Sequence, residues 1–236
     1  MPIRQAPTTR LREISGFRQT GAADATSFGP LLRYKGMSLN KEKQLLITGF
    51  EPFGGESINP SWEAILRLPQ RIGEYNLVKM RIPVVFSEAA EAVICEADRI
   101  CPDIVLCVGQ AGGREKITPE LVAINLRHAT ASDNMGRAPR DEKILPDGCA
   151  AYFSTLPVRK ISEAISAAGL PSAVSYSAGT YVCNDVFYTL LSRFEGTATR
   201  VGFIHIPYST EQNKEPSLSL YEIVKGLTVA IESIDS

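Results

Sequence analysis

The sequence of 236 residues has little of what metal sites, disulfide scaffolds and membrane spans require. It contains two histidines and five cysteines, no Cys-x-x-Cys pair, and no run of the roughly 18 apolar residues that a membrane span needs. An odd number of cysteines without scaffold-like spacing predicts reduced thiols. A net charge of −1 argues against binding to nucleic acid or to an acidic membrane surface. We therefore expect a cytoplasmic protein with no metal and no cofactor.

The first 36 residues differ from the rest of the chain. They hold six basic and two acidic side chains, hence a net charge of +4, and they show no sustained apolar period. We predict a disordered extension or an artefact of start-site choice, in which case Met37 is the initiator. A transit peptide, which is also rich in arginine and poor in acids, is the third interpretation. Residues 37–236 then form the folded domain.

From residue 44 onward, short apolar runs that predict strands alternate with helical periodicity. The predicted strands cover residues 44–49, 77–85, 103–109, 122–126, 173–176 and 200–206, and the predicted helices cover residues 61–68, 87–100, 158–168, 182–194 and 220–234. This alternation predicts a single three-layer α/β/α domain with a mainly parallel twisted sheet.

Two unusual loops follow predicted strands, at the sheet edge where such folds bind ligands. Residues 49–55 place Phe50 and Phe53 among glycines and a proline, which predicts an aromatic pocket wall unless both rings pack into the core. Residues 109–114 are rich in glycine and lead to Glu120, but they match neither a dinucleotide fingerprint nor a P-loop. Glu120 taken alone is more typical of a surface carboxylate.

A third loop, residues 178–184, places Cys183 in the first turn of a predicted helix. Helix amino termini lower thiol pKa values, so this position favours a thiolate, whereas the other four cysteines are expected to be core residues or spectators. His205 ends the next predicted strand, and one helix plus one strand return the chain to the same sheet edge. A Cys–His pair is therefore plausible. His128, in a polar loop, is expected to be solvated.

The three loops belong to longer ordered segments within residues 44–225. These segments are ITGFEPFGG, NPSWEA, CVGQAGG, ITPE, VAINL, DGCAAYFSTLP, AGTYVCN, FIHIPY and PSLSL. Together they resemble the pyroglutamyl peptidase I family, also called pyrrolidone-carboxylate peptidases. The resemblance implies a cysteine exopeptidase (an omega-peptidase) that releases amino-terminal pyroglutamate, or 5-oxoproline, from peptides through a thioacyl-enzyme intermediate. It also implies a homo-oligomer, commonly a tetramer.

The resemblance assigns a role to six residues. Cys183 of the VCN segment is the expected nucleophile, His205 of FIHIPY its acid–base partner, and Glu120 of ITPE the group that orients the imidazole. A lactam ring is flat and partly apolar, and it carries one N–H and one C=O. The residues expected to line its pocket are Phe50, Phe53 and Gln110.

The chain departs from the family pattern at two positions. Thr130 stands where many bacterial members carry an arginine, for which Arg127 or Arg137 is a candidate replacement. Asp185 stands two residues after the nucleophile, where typical members have histidine or a similar residue, and a carboxylate directed at Cys183 would disfavour a thiolate. Two alternatives therefore stay open: a non-catalytic or weakly active pyroglutamyl-peptide binder, and a cysteine amidase for another small cyclic acyl amide.

Overall fold

The computed structural model describes residues 42–236. The predicted extension over residues 1–36 lies outside the described residues, so that prediction stays open. The strands are β1 (Lys43–Phe50), β2 (Arg71–Ile72), β3 (Tyr75–Ile82), β4 (Ile104–Gln110), β5 (Thr118–Pro119), β6 (Val122–Ile124), β7 (Ala151–Phe153), β8 (Arg200–Ile206), β9 (Tyr208–Ser209) and β10 (Ser217–Leu218). The helices are α1 (Pro60–Arg67), α2 (Glu88–Ile100), α3 (Val158–Ala167), α4 (Val182–Arg193) and α5 (Leu220–Glu232), with a 3-10 turn at Thr210–Gln212.

The main sheet has six strands in the order β2-β3-β1-β4-β8-β5. Its four central strands, β3, β1, β4 and β8, run parallel, and the short edge strands β2 and β5 run antiparallel to their neighbours. In the β4–β8 ladder Gly109 lies directly opposite His205. The predicted α/β fold with a mainly parallel sheet is therefore confirmed.

Helices cover both faces of this sheet, because successive side chains of a strand point to opposite faces. Leu45 and Ile47 of β1 pack into a core with residues of α1, α3 and α5. Leu46 between them packs into a second core with residues of α2 and α4. The sheet is thus the middle of three layers, and α4 lies on the same side as α2.

Two predicted features differ from the structure. The predicted strand over residues 122–126 is only Val122–Ile124, and it pairs with β7, which the sequence did not predict, in a separate two-stranded sheet. The predicted strand over residues 173–176 is wrong. This segment makes only isolated bridges, from Ser172 to Ile117 and from Ser175 to Glu120, because the edge segment around β5 that it meets is short.

No helix among residues 42–236 is long and apolar enough to cross a membrane.

All five cysteines lie in the described part and are free. Cys107 is buried in the core, whereas Cys95, Cys101 and Cys149 are exposed. Cys183 has an intermediate solvent exposure, which distinguishes it from the buried and from the exposed cysteines.

Candidate active site

His205 of β8 and Glu120, the residue directly after β5, form a buried pair. Nδ1 of His205 lies 2.7 Å from Oε1 of Glu120, with the histidine 4% and the glutamate 0% exposed. The ladder places Thr118 of β5 opposite His205, and the backbone N–H of Glu120 donates to the carbonyl of Phe203 at 2.9 Å. Backbone pairing therefore sets the distance between carboxylate and imidazole. The surface location expected for Glu120 taken alone is wrong.

Cys183 is the second residue of α4, in the first helical turn as predicted. Its sulfur packs against β4, because a Cβ placed on Gly109 would lie only 2.9 Å from Sγ. Gly109 pairs with His205, and along the same two strands Cys107 and Phe203 face the core beneath α2 and α4. The alternation of strand side chains thus directs the imidazole to the face on which the sulfur lies. Glu120 engages Nδ1, and Nε2 of the same imidazole makes no hydrogen bond within residues 42–236.

The ionisable groups of this cluster are tuned mainly by burial. Burial lowers the pKa of His205, and the hydrogen bond with Glu120 only partly offsets that effect. Burial, together with the nearby carboxylate of Glu120, raises the pKa of the Cys183 thiol to about 12. From the helix terminus alone we expect a lowered thiol pKa and a thiolate. The pKa is raised instead, because the loss of hydration outweighs the effect of the helix terminus. Both shifts favour the uncharged forms of the two groups, the thiol and the imidazole.

Glu120 stays ionised within this cluster. Burial by itself raises the pKa of its carboxyl, but interactions with His205, and to a smaller extent with Ser175 and Arg114, bring that pKa below its ordinary value. Arg114 donates from Nη1 to Oε1 of Glu120 at 2.6 Å. No local pattern predicts this contact, since Arg114 is one basic residue in a loop that also holds Glu115 and Lys116.

The residues predicted to bind substrate line one small pocket, and Cys183 belongs to its wall. Its walls are Phe50, Phe53, Asn59, Val84, Gln110, Tyr181, Val182 and Cys183. Phe50 also belongs to the core and is 2% exposed, so both interpretations of this ring hold, while Phe53 is half-buried. Tyr181, whose ring centroid is 6.4 Å from that of Phe53, was not predicted, although its place two residues before Cys183 was the available signal.

Gln110 is held in a defined orientation at this pocket. Its Oε1 accepts a hydrogen bond of 3.0 Å from Nε2 of Gln212. Its own Nε2 donates no hydrogen bond within residues 42–236, so this donor remains available at the pocket. An amide donor flanked by aromatic rings suits a flat ligand that carries a carbonyl group.

Asp185 is turned away from the sulfur by a buried network. Its Oδ1 accepts from Nε of Arg127 at 2.5 Å, and its Oδ2 accepts from the backbone N–H of Ser87 at 2.7 Å. Nη2 of Arg127 also donates to Oγ of Ser87 at 3.0 Å. The carboxylate is fully buried and charge-paired, so it links the start of α4 to the start of α2 instead of facing Cys183.

Neither Arg127 nor Arg137 is free to replace the arginine that is absent at position 130. Arg127 is engaged by Asp185, and Arg137 pairs with Glu142 at 3.0 Å. Thr130 itself is exposed and lines a second cavity that shares Phe53 and Tyr181 with the first.

His128, expected to be solvated, is partly exposed and contacts Asp141 at 2.8 Å. Within residues 42–236 no group of three or more His, Cys, Asp or Glu side chains could hold a metal ion.

Comparison with known proteins links this arrangement to one family. The sequence profile described as pyroglutamyl peptidase matches residues 43–236. The pyrrolidone-carboxylate peptidase of Lactobacillus helveticus is 47% identical over 195 residues, which cover 80% of this chain and 98% of that protein. The corresponding protein of Levilactobacillus brevis is 50% identical, over 81% of this chain and 97% of its own.

Solved structures agree with the sequence comparison. The crystal structure of pyroglutamyl peptidase I from Bacillus amyloliquefaciens superposes with a TM-score of 0.78 at 47% identity, covering 82% of this chain and 97% of that one. The pyrrolidone carboxyl peptidase from Thermococcus litoralis gives a TM-score of 0.77 at 38% identity, covering 82% and 94%. The similarity therefore extends over the whole described domain.

Proposed function

The chain belongs to the pyroglutamyl peptidase family, and from this premise we propose that it releases amino-terminal pyroglutamate from peptides with Cys183 as the nucleophile. One observation carries the proposal. The pocket lined by Phe50, Phe53 and Gln110 also has Cys183 in its wall, on the sheet face of His205, whose imidazole is hydrogen-bonded to Glu120.

In the first half of the reaction, Sγ of Cys183 attacks the carbonyl carbon that joins pyroglutamate to the next residue. Nε2 of His205 takes the thiol proton as the carbon–sulfur bond forms, since the uncharged forms of the thiol and the imidazole are favoured. The amino end of α4 has no side-chain cap at Tyr181, so its first N–H groups are candidate donors to the oxyanion. Glu120 stabilises the imidazolium, which then protonates the leaving amine as the carbon–nitrogen bond breaks.

In the second half, a water molecule hydrolyses the thioester. His205, neutral again after giving up its proton, removes a proton from the water as the oxygen attacks the acyl carbon. The carbon–sulfur bond breaks, and Cys183 recovers its proton from the imidazolium. The products are free pyroglutamate and a peptide that is shorter by one residue.

Recognition of the lactam follows from the pocket walls. The rings of Phe50, Phe53 and Tyr181 offer apolar surface to the flat ring. Nε2 of Gln110 is the donor that the lactam carbonyl requires. A peptide with a free, charged amino terminus would bring an ammonium group into a pocket that has no carboxylate among its lining residues, which disfavours it.

The test is hydrolysis of a fluorogenic pyroglutamyl amide by wild type, Cys183→Ser and Cys149→Ser. We expect turnover by wild type and by the exposed-thiol control Cys149→Ser, and none by Cys183→Ser. Activity that persists in Cys183→Ser would refute the nucleophile. Prolyl and glutamyl amides test the substrate, because a prolyl preference contradicts a lactam pocket.

A wild-type protein that binds a pyroglutamyl peptide in calorimetry without cleaving it would instead support the non-catalytic alternative. Cleavage restricted to another cyclic acyl amide would support the amidase alternative. The proposed partners are thus peptides with an amino-terminal pyroglutamate. The cytoplasmic location and the tetramer implied by the family stay predictions, and light scattering of the purified protein tests the tetramer.

A further inference from the structure

Arg114 reaches the carboxylate of Glu120 from the loop between β4 and β5. Its Nη1 donates to Oε1 of Glu120 at 2.6 Å and to Oγ1 of Thr118 at 2.7 Å. Its Nη2 makes a longer contact of 3.4 Å with the carbonyl of Ser177. The same Oε1 also receives Nδ1–H of His205, so one carboxylate oxygen serves both partners.

The carboxylate depends on this arginine because it has few other partners. Glu120 is 0% exposed, and its second oxygen, Oε2, has no hydrogen-bond partner among residues 42–236. His205 contributes no charge while its imidazole is neutral. Arg114 is therefore the cation in direct contact with a buried anion, and an unpaired buried anion is strongly unfavourable. Unlike histidine, arginine stays charged at every pH at which the protein folds.

We propose that Arg114 is a positioning residue of the reaction, which keeps Glu120 ionised and holds its Oε1 against Nδ1 of His205. This inference rests on the proposed function. Its consequence is a single tautomer of the neutral imidazole, with the proton on Nδ1 and the lone pair of Nε2 facing the thiol. Arg114 acts through Glu120 and does not contact the reacting atoms.

The inference also predicts how the reaction depends on pH. The titratable and charged groups around His205 are Glu120 after β5, Arg114 in the loop after β4, and Cys183 on α4. Without the positive charge of Arg114, protonation of His205 becomes easier, and so does protonation of Glu120. The active form has a neutral His205 and an ionised Glu120, and both changes cause it to be lost at a higher pH. The acid limb of the kcat/KM profile therefore moves to higher pH, whichever group titrates first.

The kinetic test compares Arg114→Met and Arg114→Lys with Arg67→Met, which removes a half-exposed arginine from α1. We expect Arg114→Met to lose roughly 10- to 100-fold in kcat, with a smaller change in KM and an acid limb at higher pH. Arg114→Lys should keep the wild-type limb and recover only part of kcat, since an ammonium lacks the planar fork. Arg67→Met should match wild type. An unshifted limb in Arg114→Met, or full kcat in either Arg114 variant, would overturn the inference.

A spectroscopic test does not need turnover, because the chain has only two histidines. Nitrogen NMR of the imidazoles, assigned with His128→Gln, reports which ring nitrogen of His205 carries the proton. We expect the Nδ1–H tautomer in wild type and a mixture in Arg114→Met. If the variant keeps the wild-type tautomer, Arg114 does not position the pair, even if the proposed hydrolysis is absent. If Arg114→Met fails to fold, as urea unfolding would show, Arg114→Lys decides through its kcat.

Discussion

Replacing Gly109 by alanine should displace the proposed nucleophile without breaking the fold. The new Cβ would lie 2.9 Å from Sγ of Cys183 and 2.9 Å from Cζ of Phe203, whereas ordinary contact begins at 3.4 Å. Both neighbours must therefore give way by about 0.5 Å, the difference between the clash distance and ordinary contact. Overpacking of this kind costs about 1–3 kcal/mol of stability. A misplacement approaching 1 Å at reacting atoms costs up to ~100-fold in rate, so we expect kcat/KM to fall roughly 10- to 100-fold.

The assay is hydrolysis of the pyroglutamyl amide together with urea unfolding. Gly226→Ala is the matched control, because its Cβ would crowd Ile117 at 2.3 Å from α5, on the opposite face of the sheet from α4. Both variants should lose stability, but only Gly109→Ala should lose activity beyond its folded fraction. Wild-type kcat/KM in a folded Gly109→Ala protein would refute the contact between the sulfur and β4.

Four further outcomes follow from the site. Because the pKa of His205 is lowered by burial, kcat/KM should stay constant as the pH falls to about 6.5 and decline only below it; a decline centred above that value would contradict a depressed pKa. Because the thiol pKa of Cys183 is raised to about 12, ultraviolet difference spectra of wild type against Cys183→Ser should show no thiolate at neutral pH. Gln110→Leu should raise KM for the pyroglutamyl amide roughly 2- to 10-fold and leave hydrolysis of a prolyl amide, if measurable, unchanged. Asp185→Asn should lower the free energy of unfolding by about 3–5 kcal/mol, and Arg127→Met in the same chain should restore part of it; purely additive losses would refute the pairing.

The sequence predicts the framework of this domain well, because periodicity reports burial. The central strands and all five helices lie within a few residues of their predicted ranges. The apolar run at residues 104–109 is buried on both faces of the sheet, the situation in which a continuous apolar strand arises. The cap at Asn59 followed by Pro60 marks the start of α1 where local chemistry decides it.

The sequence does not predict what depends on contacts between distant segments. β5 is two residues long and forms only because it pairs with β8, so no local sequence pattern predicts it. Asp185 looked like an obstacle to the thiol because its partner Arg127 lies 58 positions earlier in the chain. The protonation state of Cys183 was predicted in the wrong direction for a similar reason, since burial under the loops is a property of the assembled site.

The acid–base pair and the thiol are carried by different kinds of element. Glu120 and His205 are locked together by the β5–β8 ladder, whereas Cys183 depends on how the first turn of α4 lies on β4. Helix termini open at lower free energy than central strands. Mild denaturant should therefore abolish catalytic activity and make Cys183 accessible to alkylation, while the backbone amides of β8 remain protected from hydrogen exchange. Inactivation and unfolding would then be two separable events, with the helix terminus as the weaker link.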